Sequence, residues 1–459
     1  MKALIISPDL DHYRDFRGIY RYSIRLIKAL KDLGFELDMV VSAKKNRYLF
    51  SRYGDRMLCT SIIGSLSTRG GEDSDIGVGN KIRLPKINKF VGIKNPKLLK
   101  VENSYYPVEE SQLPTLVKEF VTKIDNWMLS PGFSKDLVND NLIHMNPWNA
   151  MVVDGTEYDY VFTTQPYRIK VKNSQLITIV HDLFPITCSW HDTSNIDYLC
   201  YRFIKSIKYS DKLICISEET KRTLLAFMRS SKLNESFMED KINVITQSVK
   251  KQNANSLSSS LQNEGLQKNS YITIGAIEER KNQHELVNLF TEDPTFSSFE
   301  LNIVGAADID YLKFRLPELY KRACVKLGAN YKELSKAINI GVEFEVKYKN
   351  IRWACNASDG RKNYLLQSSN AMIFPTLAEG YGIPIVEAMS LGIPVIARDL
   401  DVFRAISKNI DYYQNISMLK ESILKYSGSI QRLKVLIDES ISLVDDSAFS
   451  AKLRKVLLD

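Results

Sequence analysis

Two glutamates, Glu379 and Glu387, flank a cluster of glycines and a proline in the segment PTLAEGYGIPIVEAMSLGIPVIA, residues 375–397. A carboxylate accepts hydrogen bonds on both oxygens, so it suits the adjacent hydroxyls of a ribose or a hexose. Pro384 is typical of the first position of a helix, whose positive end attracts phosphate. Two interpretations are open: a capped turn with two solvated acids, or a site for a polyhydroxylated, anionic ligand. The backbone amides near such a ligand would be those of Gly380, Tyr381, Gly382 and Ile383.

A pair of cations, Arg280 and Lys281, follows the predicted strand YITIGAI. Arginine offers phosphate oxygens a planar fork of N–H donors, and lysine offers a point charge. Adjacent basic residues are also common on ordinary protein surfaces, so a phosphate site is one of two interpretations of this pair.

A histidine, His181, ends the predicted strand QLITIV and is followed by Asp182. A lone histidine in this position is more often structural than functional. A second pair, His191 and Asp192, raises the alternative of a metal site. Pro185 and the ten-residue spacing do not place the two pairs on one helix face, so we predict no metal site.

Strands and helices alternate twice along the chain, and the residues above lie near strand ends. The strand KALIIS, a loop with Gly18, the helix IYRYSIRLIKALKDLG and the strand FELDMVVS form a predicted βαβ unit. More strands are predicted at YDYVFTT, QLITIVHD, DKLICIS and KINVITQ. After a polar segment come the predicted strands YITIGAI, FELNIVGA, VEFEV, NAMIFPT and PVIAR, with a helix expected between each pair.

This alternation predicts an α/β protein with two Rossmann-like parallel-sheet domains facing across a cleft. We place the amino-terminal domain at residues 1–250, a linker at 251–269, the second domain at 270–430 and a helical tail at 431–459. The tail is expected to lean back on the amino-terminal domain. Ligands of open α/β sheets bind beyond the carboxyl ends of the strands, and the candidate residues come directly after predicted strands.

Composition agrees with two domains. With 459 residues, of which 44% are hydrophobic, the chain is too long for one compact core. No apolar run reaches the roughly 18 residues of a membrane helix, and Pro8 and Asp9 interrupt the start before any signal-peptide core. The six cysteines show no CxxC spacing, which predicts reduced thiols. We therefore expect a cytoplasmic protein.

The net charge of +8 is partly concentrated in residues 81–100, which contain no acid. One interpretation is a solvated loop. The other is a patch for anionic lipid or a lipid-linked diphosphate acceptor, which would make the protein peripheral on the inner face of the membrane. No aromatic-interleaved basic motif accompanies the run, so we expect no nucleic-acid partner. Its basic residues are Lys81, Arg83, Lys86, Lys89, Lys94, Lys97 and Lys100.

The segment EGYGIPIVE matches the E-x7-E signature of retaining glycosyltransferase family 4, whose members have the GT-B fold. The chain resembles that family, and its bacterial mannosyltransferase-like branch, over most of its length. The segments RGIYRYS, IVHDLFP, CISEETKRTL, GAIEERKNQ and IPVIARDLDVFRAI occur in the order of the family's other conserved segments.

The resemblance implies an enzyme that transfers a hexose from a nucleoside diphosphate sugar to a glycan hydroxyl, with retention and without a metal or other cofactor. GDP-mannose is the expected donor, and a lipid-linked or free bacterial surface glycan, such as O-antigen, is the expected acceptor. His181 and Glu379 would act on the transferred sugar, and Glu387 on the ribose. Gly18, Arg280, Lys281 and the amides beyond Glu379 would contact the diphosphate.

Two departures from the family pattern keep alternatives open. Ala276 stands where relatives often carry an arginine, and Gly18 stands alone where many have a glycine pair. A non-catalytic partner subunit that binds nucleotide sugar or glycan is therefore one alternative. A second is a GT-B-like sugar epimerase, because such epimerases also use a GT-B-like cleft.

Overall fold

The chain divides into two compact units, one of Met1–Thr246 with Asp446–Asp459 and one of Gln247–Asp445. The predicted tail is thus divided between them, because residues 431–445 lie in the second unit and 446–459 in the first. The computed structural model describes residues 1–7, 18–42, 99–101, 123–130, 151–188, 196–231, 239–247, 249, 269–339 and 341–458.

The described part of the first unit contains an eight-stranded sheet in the order β10-β9-β8-β6-β1-β2-β4-β3. Neighbouring strands are parallel except β3 and β4, and β5 pairs with β7 in a separate small sheet. The strands are β1 Lys2–Ile6, β2 Glu36–Ser42, β3 Leu99–Val101, β4 Asn126–Ser130, β5 Met151–Asp154, β6 Tyr160–Thr163, β7 Ile169–Lys172, β8 Gln175–Val180, β9 Lys212–Cys215 and β10 Ile242–Val244.

The helices of this unit follow the apolar spacing of the sequence. Helix α1 spans Gly18–Asp32, and its Ile24, Ile27 and Leu30 are buried at helical spacing, whereas Ile19 at its start is half-buried. It ends before Gly34, whose φ of +82° is the left-handed conformation that favours glycine. The other helices before residue 247 are α2 Phe184–Thr187, α3 Ile196–Tyr209 and α4 Glu218–Ser230.

The second unit is built on a seven-stranded sheet in the order β13-β14-β12-β11-β15-β16-β17 among the residues described. Side chains alternate between its two faces: Leu301 and Ile373 enter one core cluster, and Met372 and Phe374 the other. The strands are β11 Ser270–Ile274, β12 Glu300–Val304, β13 Phe344–Tyr348, β14 Ile351–Cys355, β15 Ala371–Phe374, β16 Val395–Arg398 and β17 Asp411–Tyr413.

The helices of the second unit cover both faces of this sheet. After a 3-10 turn at Glu279–Lys281 come α5 Gln283–Glu292, a 3-10 turn at Pro294–Phe296, α6 Ile309–Arg315, α7 Pro317–Leu327, α8 Tyr331–Asn339, α9 Asp359–Gln367, α10 Ile383–Ser390, α11 Asp401–Arg404, α12 Ile416–Lys425, α13 Lys434–Ser440 and a 3-10 turn at Ile441–Leu443.

One prediction for this unit was wrong. We expected a helix directly after VEFEV, but β13 is followed by β14, which pairs with it antiparallel. Tyr348 pairs with Ile351, so Lys349 and Asn350 form a two-residue turn, and Lys349 has a φ of +50°. Asn350 anchors the turn to the segment before β12, because its Nδ2 donates to the carbonyls of Phe290, Phe296 and Phe299. The sequence IRWAC is therefore a strand that was not predicted.

The last helix, α14 at Asp446–Leu458, belongs to the first unit. Lys28 and Arg25 of α1 form ion pairs with Asp446, and the ring of Phe449 lies 5.5 Å from that of Tyr22. The hydroxyl of Tyr160 donates to the carbonyl of Leu457 at 2.5 Å. These contacts attach α14 to the sheet and to α1 of that unit.

Within the residues described, no helix is long and apolar enough to span a membrane. The described cysteines form no disulfide; they are Cys188, Cys200, Cys215, Cys324 and Cys355. The predicted linker, residues 251–269, lies outside the described residues except for Asn269.

Candidate functional site

The strand order of the second unit creates a place for a ligand at the carboxyl ends of β11 and β15. The chain runs from β11 to β12 on one side and later returns to β15 on the other side of β11. Loops leave this point in opposite directions, which opens a crevice in α/β sheets. The loop after β11 leads to Arg280 and Lys281, and the loop after β15 leads to Glu379. All three predicted residues therefore start from the same edge of the sheet.

The approach of β11 and β12 at this edge requires glycine. Gly275 and Gly305 follow the two strands with φ values of +151° and +153°. A Cβ on Gly305 would lie 2.1 Å from the carbonyl oxygen of Gly275, closer than atoms can approach. The backbone after β11 is held further by Gln283, whose Nε2 donates to the carbonyl of Ala276 at 2.7 Å.

The two cations lie on a short 3-10 turn, Glu279–Lys281, which precedes α5. Asn282 closes the turn in the left-handed conformation, with φ of +56°. The turn is joined to the loop after β15 because the amide of Leu377 and the hydroxyl of Thr376 both donate to the carbonyl of Arg280, at 2.8 and 3.0 Å. The two loops are thus one hydrogen-bonded structure.

Glu379 lies between both cations. Its Oε2 accepts from Nη1 of Arg280 at 3.1 Å and from Nζ of Lys281. Arg280 also donates to the carbonyl of Ala378 at 2.8 Å and to Glu278 at 2.7 Å. The side chains of Lys281 and Glu379 are only 11% and 17% exposed, so the cluster is half-enclosed and not a solvated surface pair. The alternative of a solvated acid at Glu379 is therefore not what the structure contains.

Burial and charge act against each other in this cluster. Burial lowers the pKa of Lys281 more than the negative charge of Glu379 raises it. Burial acts to raise the pKa of Glu379, but the charges of Lys281 and Arg280 outweigh it, and this pKa lies below its ordinary value. Glu379 is therefore ionised at neutral pH, and its charge is shared between two donors that could also meet a phosphate.

The glycine segment after Glu379 forms the start of α10. Gly382 is its N-cap with φ of +104°, and a Cβ there would lie 3.0 Å from a ring carbon of Phe403. Ile383 is then the first helical residue and Pro384 the second, one position later than the sequence suggested. Gly380 and Tyr381 are buried, and the Tyr381 hydroxyl has no hydrogen-bond partner among the residues that the structure describes.

Glu387 lies in α10 and has a different environment from Glu379. Its side chain is 2% exposed, and its Oε1 accepts from Nζ of Lys362 on α9 at 2.9 Å. It is not a solvated acid either. Lys362 was not predicted as part of the site. It lies beside Glu387 only because α9 and α10, which β15 separates in the sequence, pack together.

His181 lies in the first unit, in the turn after β8, and is 6% exposed. Its Nε2 lies 3.0 Å from the carbonyl of Thr164, which only accepts, so Nε2 carries the proton and donates. The ring packs edge-on against Tyr22 at 5.2 Å. Burial lowers the pKa of His181 to about 4 although the Thr164 hydrogen bond acts to raise it. The imidazole is therefore neutral at pH 7, with Nδ1 as its acceptor.

The other residues singled out in the sequence lie in the first unit or outside the described residues. Gly18 is the first residue of α1 in the first unit. His191 and Asp192 lie outside the described residues, as does the basic run except for Lys100 in β3. No group of three potential metal ligands occurs in the part of the chain that the structure describes. A cavity of about 560 Å³, lined by Phe290, Glu300, Ile351 and Arg352 among others, lies at the opposite, amino edge of the second sheet.

Comparisons with known proteins show similarity to glycosyltransferases. Residues 259–411 match the family model described as Glycosyl transferases group 1. The chain is 24% identical over 284 residues to the O-antigen chain mannosyltransferase RfbU of Salmonella typhimurium, covering 59% of this chain and 68% of that protein. It is 28% identical over 183 residues to the alpha-1,3/1,6-mannosyltransferase ALG2 of Kluyveromyces lactis, covering 38% of this chain and 36% of that protein.

A shorter match, 38% identical over 65 residues, joins the chain to the serotype-specific mannosyltransferase WbdA of Escherichia coli. It covers 14% of this chain and 8% of WbdA, so the chain spans only a small part of that relative.

Solved structures give the fold. A sucrose-phosphate synthase from Thermosynechococcus elongatus matches with a TM-score of 0.55 at 12% identity, over 99% of this chain and 98% of that one. Anabaena HepE, whose structure is described as a complex with UDP and glucose, matches with a TM-score of 0.54 at 13% identity, over 100% and 99%. The likeness to these GT-B proteins and the family match confirm the fold and the resemblance that the sequence indicated. The chain thus has the GT-B fold, and residues 259–411 match the model of the group 1 glycosyl transferases.

Proposed function

We propose that this protein is a glycosyltransferase that moves a hexosyl group from a nucleoside diphosphate sugar to an acceptor hydroxyl. The observation that carries the proposal is the convergence of Arg280, Lys281 and Glu379 at one sheet edge, beside the first amides of α10. Two cations and a helix start are the groups that stabilise the charge growing on a departing diphosphate.

Glu379 has two tasks in this proposal. Before the donor binds, it holds Arg280 and Lys281 together on one oxygen. When the donor is bound, the same carboxylate accepts from hydroxyls of the transferred sugar, while the cations turn part of their N–H donors to the diphosphate. Arginine has five N–H donors and lysine three, so both can serve the carboxylate and the phosphate at once.

His181, a residue of the first unit, is neutral at pH 7 because burial lowers its pKa to about 4. A neutral imidazole with its proton on Nε2 cannot act as a strong acid at pH 7, so we propose that His181 orients the sugar by hydrogen bonding and transfers no proton. The acceptor hydroxyl is proposed to attack on the face that the diphosphate leaves, with a phosphate oxygen taking its proton, which retains the anomeric configuration.

GDP-mannose is the proposed donor, since RfbU, ALG2 and WbdA are all named as mannosyltransferases. The proposed acceptor is a bacterial surface glycan, on the basis that RfbU is an O-antigen chain enzyme. Contact of residues 81–100 with an anionic membrane stays a prediction, as does activity without a metal. Unchanged turnover in excess EDTA is the expected result for metal independence.

The experiment is a donor screen with the purified protein. GDP- and UDP-sugars are tested for binding by calorimetry and, with glycan acceptors, for release of nucleoside diphosphate. We expect GDP-mannose to bind and to support release. If the protein binds but does not transfer, the result supports a non-catalytic partner subunit. If NMR shows an epimer of the donor without acceptor, the protein is an epimerase.

A further inference from the structure

Lys362 is a buried lysine whose ammonium group contacts the second glutamate of the motif. Its side chain is 8% exposed and that of Glu387 is 2% exposed, and Nζ lies 2.9 Å from Oε1. A second acid, Asp359, lies one turn earlier on the same helix, 3.4 Å from Nζ, and is 61% exposed. The ammonium therefore lies between a buried carboxylate and one at the surface.

The two helices that carry this pair are packed in one core. Leu365 and Leu366 of α9 share a buried cluster with Ile385 and Met389 of α10. The cluster includes Phe374 of β15, the strand that ends at the loop bearing Glu379. Since both backbones are immobilised by this packing, the ion pair sets the direction of the Glu387 carboxylate relative to the start of α10.

Stability alone is a poor explanation for this pair. Removing two charges from water costs about as much as their attraction returns, and apolar side chains of similar volume are often as stable in such positions. The effect of the lysine on the Glu387 carboxylate is therefore a better explanation for its presence here. An isolated buried carboxyl favours its neutral form, whereas an adjacent ammonium keeps it ionised and fixed in one orientation.

We propose that Lys362 is a positioning residue, which holds Glu387 ionised and oriented to accept a hydroxyl of the donor's nucleoside. The inference rests on the proposed function, because it needs a nucleoside diphosphate at the carboxyl edge of the sheet. Lys362 does not itself touch the ligand in this account. Its effect is transmitted through Glu387 and is absent when Glu387 is absent.

The test measures the dissociation constants of GDP and UDP by calorimetry, with donor KM, kcat and thermal unfolding alongside. Lys362→Met should weaken the better-bound nucleoside diphosphate ten- to a hundredfold and raise KM, with kcat within threefold of wild type. Lys362→Arg, which keeps the charge, should recover most of the affinity. In a Glu387→Gln background, Lys362→Met should cause no further loss, because both changes remove the same interaction.

Two control variants separate positioning from folding. Arg352→Met breaks a comparable ion pair, which lies at the amino ends of the strands of the same sheet. In this pair Nε of Arg352 lies 3.0 Å from Oε1 of Glu300, and the two side chains are 15% and 11% exposed. It should reduce stability without changing affinity more than twofold. Asp359→Asn removes only the exposed partner of Lys362 and should also leave affinity unchanged.

The outcomes distinguish this inference from the proposed function. If wild type binds GDP or UDP and Lys362→Met binds it equally well, the positioning role is wrong and the proposed function stands. If the losses of Lys362→Met and Glu387→Gln add, Lys362 does not act through Glu387, and the inference fails. If wild type binds neither nucleotide, both proposals fail together.

Discussion

Glu379 and Glu387 belong to one sequence motif, yet the structure places them in two different kinds of environment. Glu379 lies in a loop, is 17% exposed, and shares one oxygen between Arg280 and Lys281. Glu387 lies in a helix, is 2% exposed, and receives Lys362 from another helix of the same core. Each glutamate thus has a lysine of its own, supplied by a different element.

The two glutamates differ in whether a ligand or solvent can take the place of their cationic partners. The cations around Glu379 lie where a diphosphate is proposed to bind, so a ligand can take over part of that interaction. The pair of Glu387 and Lys362 is enclosed between packed helices, so neither charge can be compensated easily by solvent when its partner is lost. The two sites should therefore differ in stability, in kinetics and in their response to ligand.

The largest expected difference is in stability. Glu387→Gln removes the buried partner of the Lys362 ammonium and leaves only the exposed Asp359 beside it. Breaking a buried pair in this way costs up to about 3–5 kcal/mol of unfolding free energy. Glu379→Gln should cost less than half of this, because Arg280 keeps its hydrogen bonds to Ala378 and Glu278. Denaturant unfolding of both variants gives the comparison.

A double variant, Glu387→Gln with Lys362→Met, serves as the control and should recover part of the lost stability. Equal losses for the two single variants would show that the environments are not energetically distinct.

The second effect concerns the cations of Glu379. Lys281→Met removes a nearly buried charge from the proposed diphosphate site and should lower kcat about 10²–10³-fold, as expected for the loss of one preorganised electrostatic group. The measurement is nucleoside diphosphate release at saturating donor. Lys420→Met, which breaks the more exposed pair with Asp293, is the matched control and should retain activity. A Lys281 variant within threefold of wild type would exclude a catalytic role for this lysine.

The third effect separates the kinetic roles of the two glutamates. Glu379→Gln should mainly lower kcat, since its sugar hydroxyls shift as the ring flattens towards the transition state. Glu387→Gln should mainly raise donor KM, since the ribose does not change during transfer. Each loss should be about ten- to a hundredfold, corresponding to roughly 1.5–3 kcal/mol. The same kinetic signature in both variants would contradict separate roles.

The smallest effect tests a buried group in the other unit, where no opposite charge compensates burial. His181 has a folded pKa of about 4, below the ordinary value of about 6.5, so the unfolded chain binds more protons between these pH values. Stability should fall as pH falls through this window, by about 2 kcal/mol from pH 7 to pH 5. His181→Gln, which retains a donor for Thr164, should lose less stability over the same range.

The measurement is unfolding free energy at both pH values, and the difference between wild type and variant isolates the histidine. Identical pH dependence in the two proteins would show that His181 is not held neutral by burial. Turnover should show no titration of His181 between pH 5 and 8.

Much of the fold could be predicted because it depends on local patterns. The buried face of α1 follows from apolar residues at helical spacing, and the short apolar runs at β1, β11 and β15 are typical of parallel strands. The positions of Arg280, Lys281 and Glu379 after strands were sufficient to predict one site, because carboxyl ends of parallel strands share an edge. The hairpin of β13 and β14 was missed, since its short apolar runs do not separate strand from helix and its turn has a lysine at positive φ.

The alternation of elements, the glycines that permit close approach and the identity of the candidate charges all follow from the order of residues along the chain. Which of these charges meet depends on the folded arrangement. Lys281 and Glu379 are 98 residues apart, and Lys362 and Glu387 are 25 apart across a strand. Such pairings depend on strand order and helix packing, which no local pattern encodes. The burial of each side chain also depends on the folded arrangement. It leaves Glu379 in a partly exposed cluster that a ligand can enter, and it encloses Glu387 in a pair with Lys362.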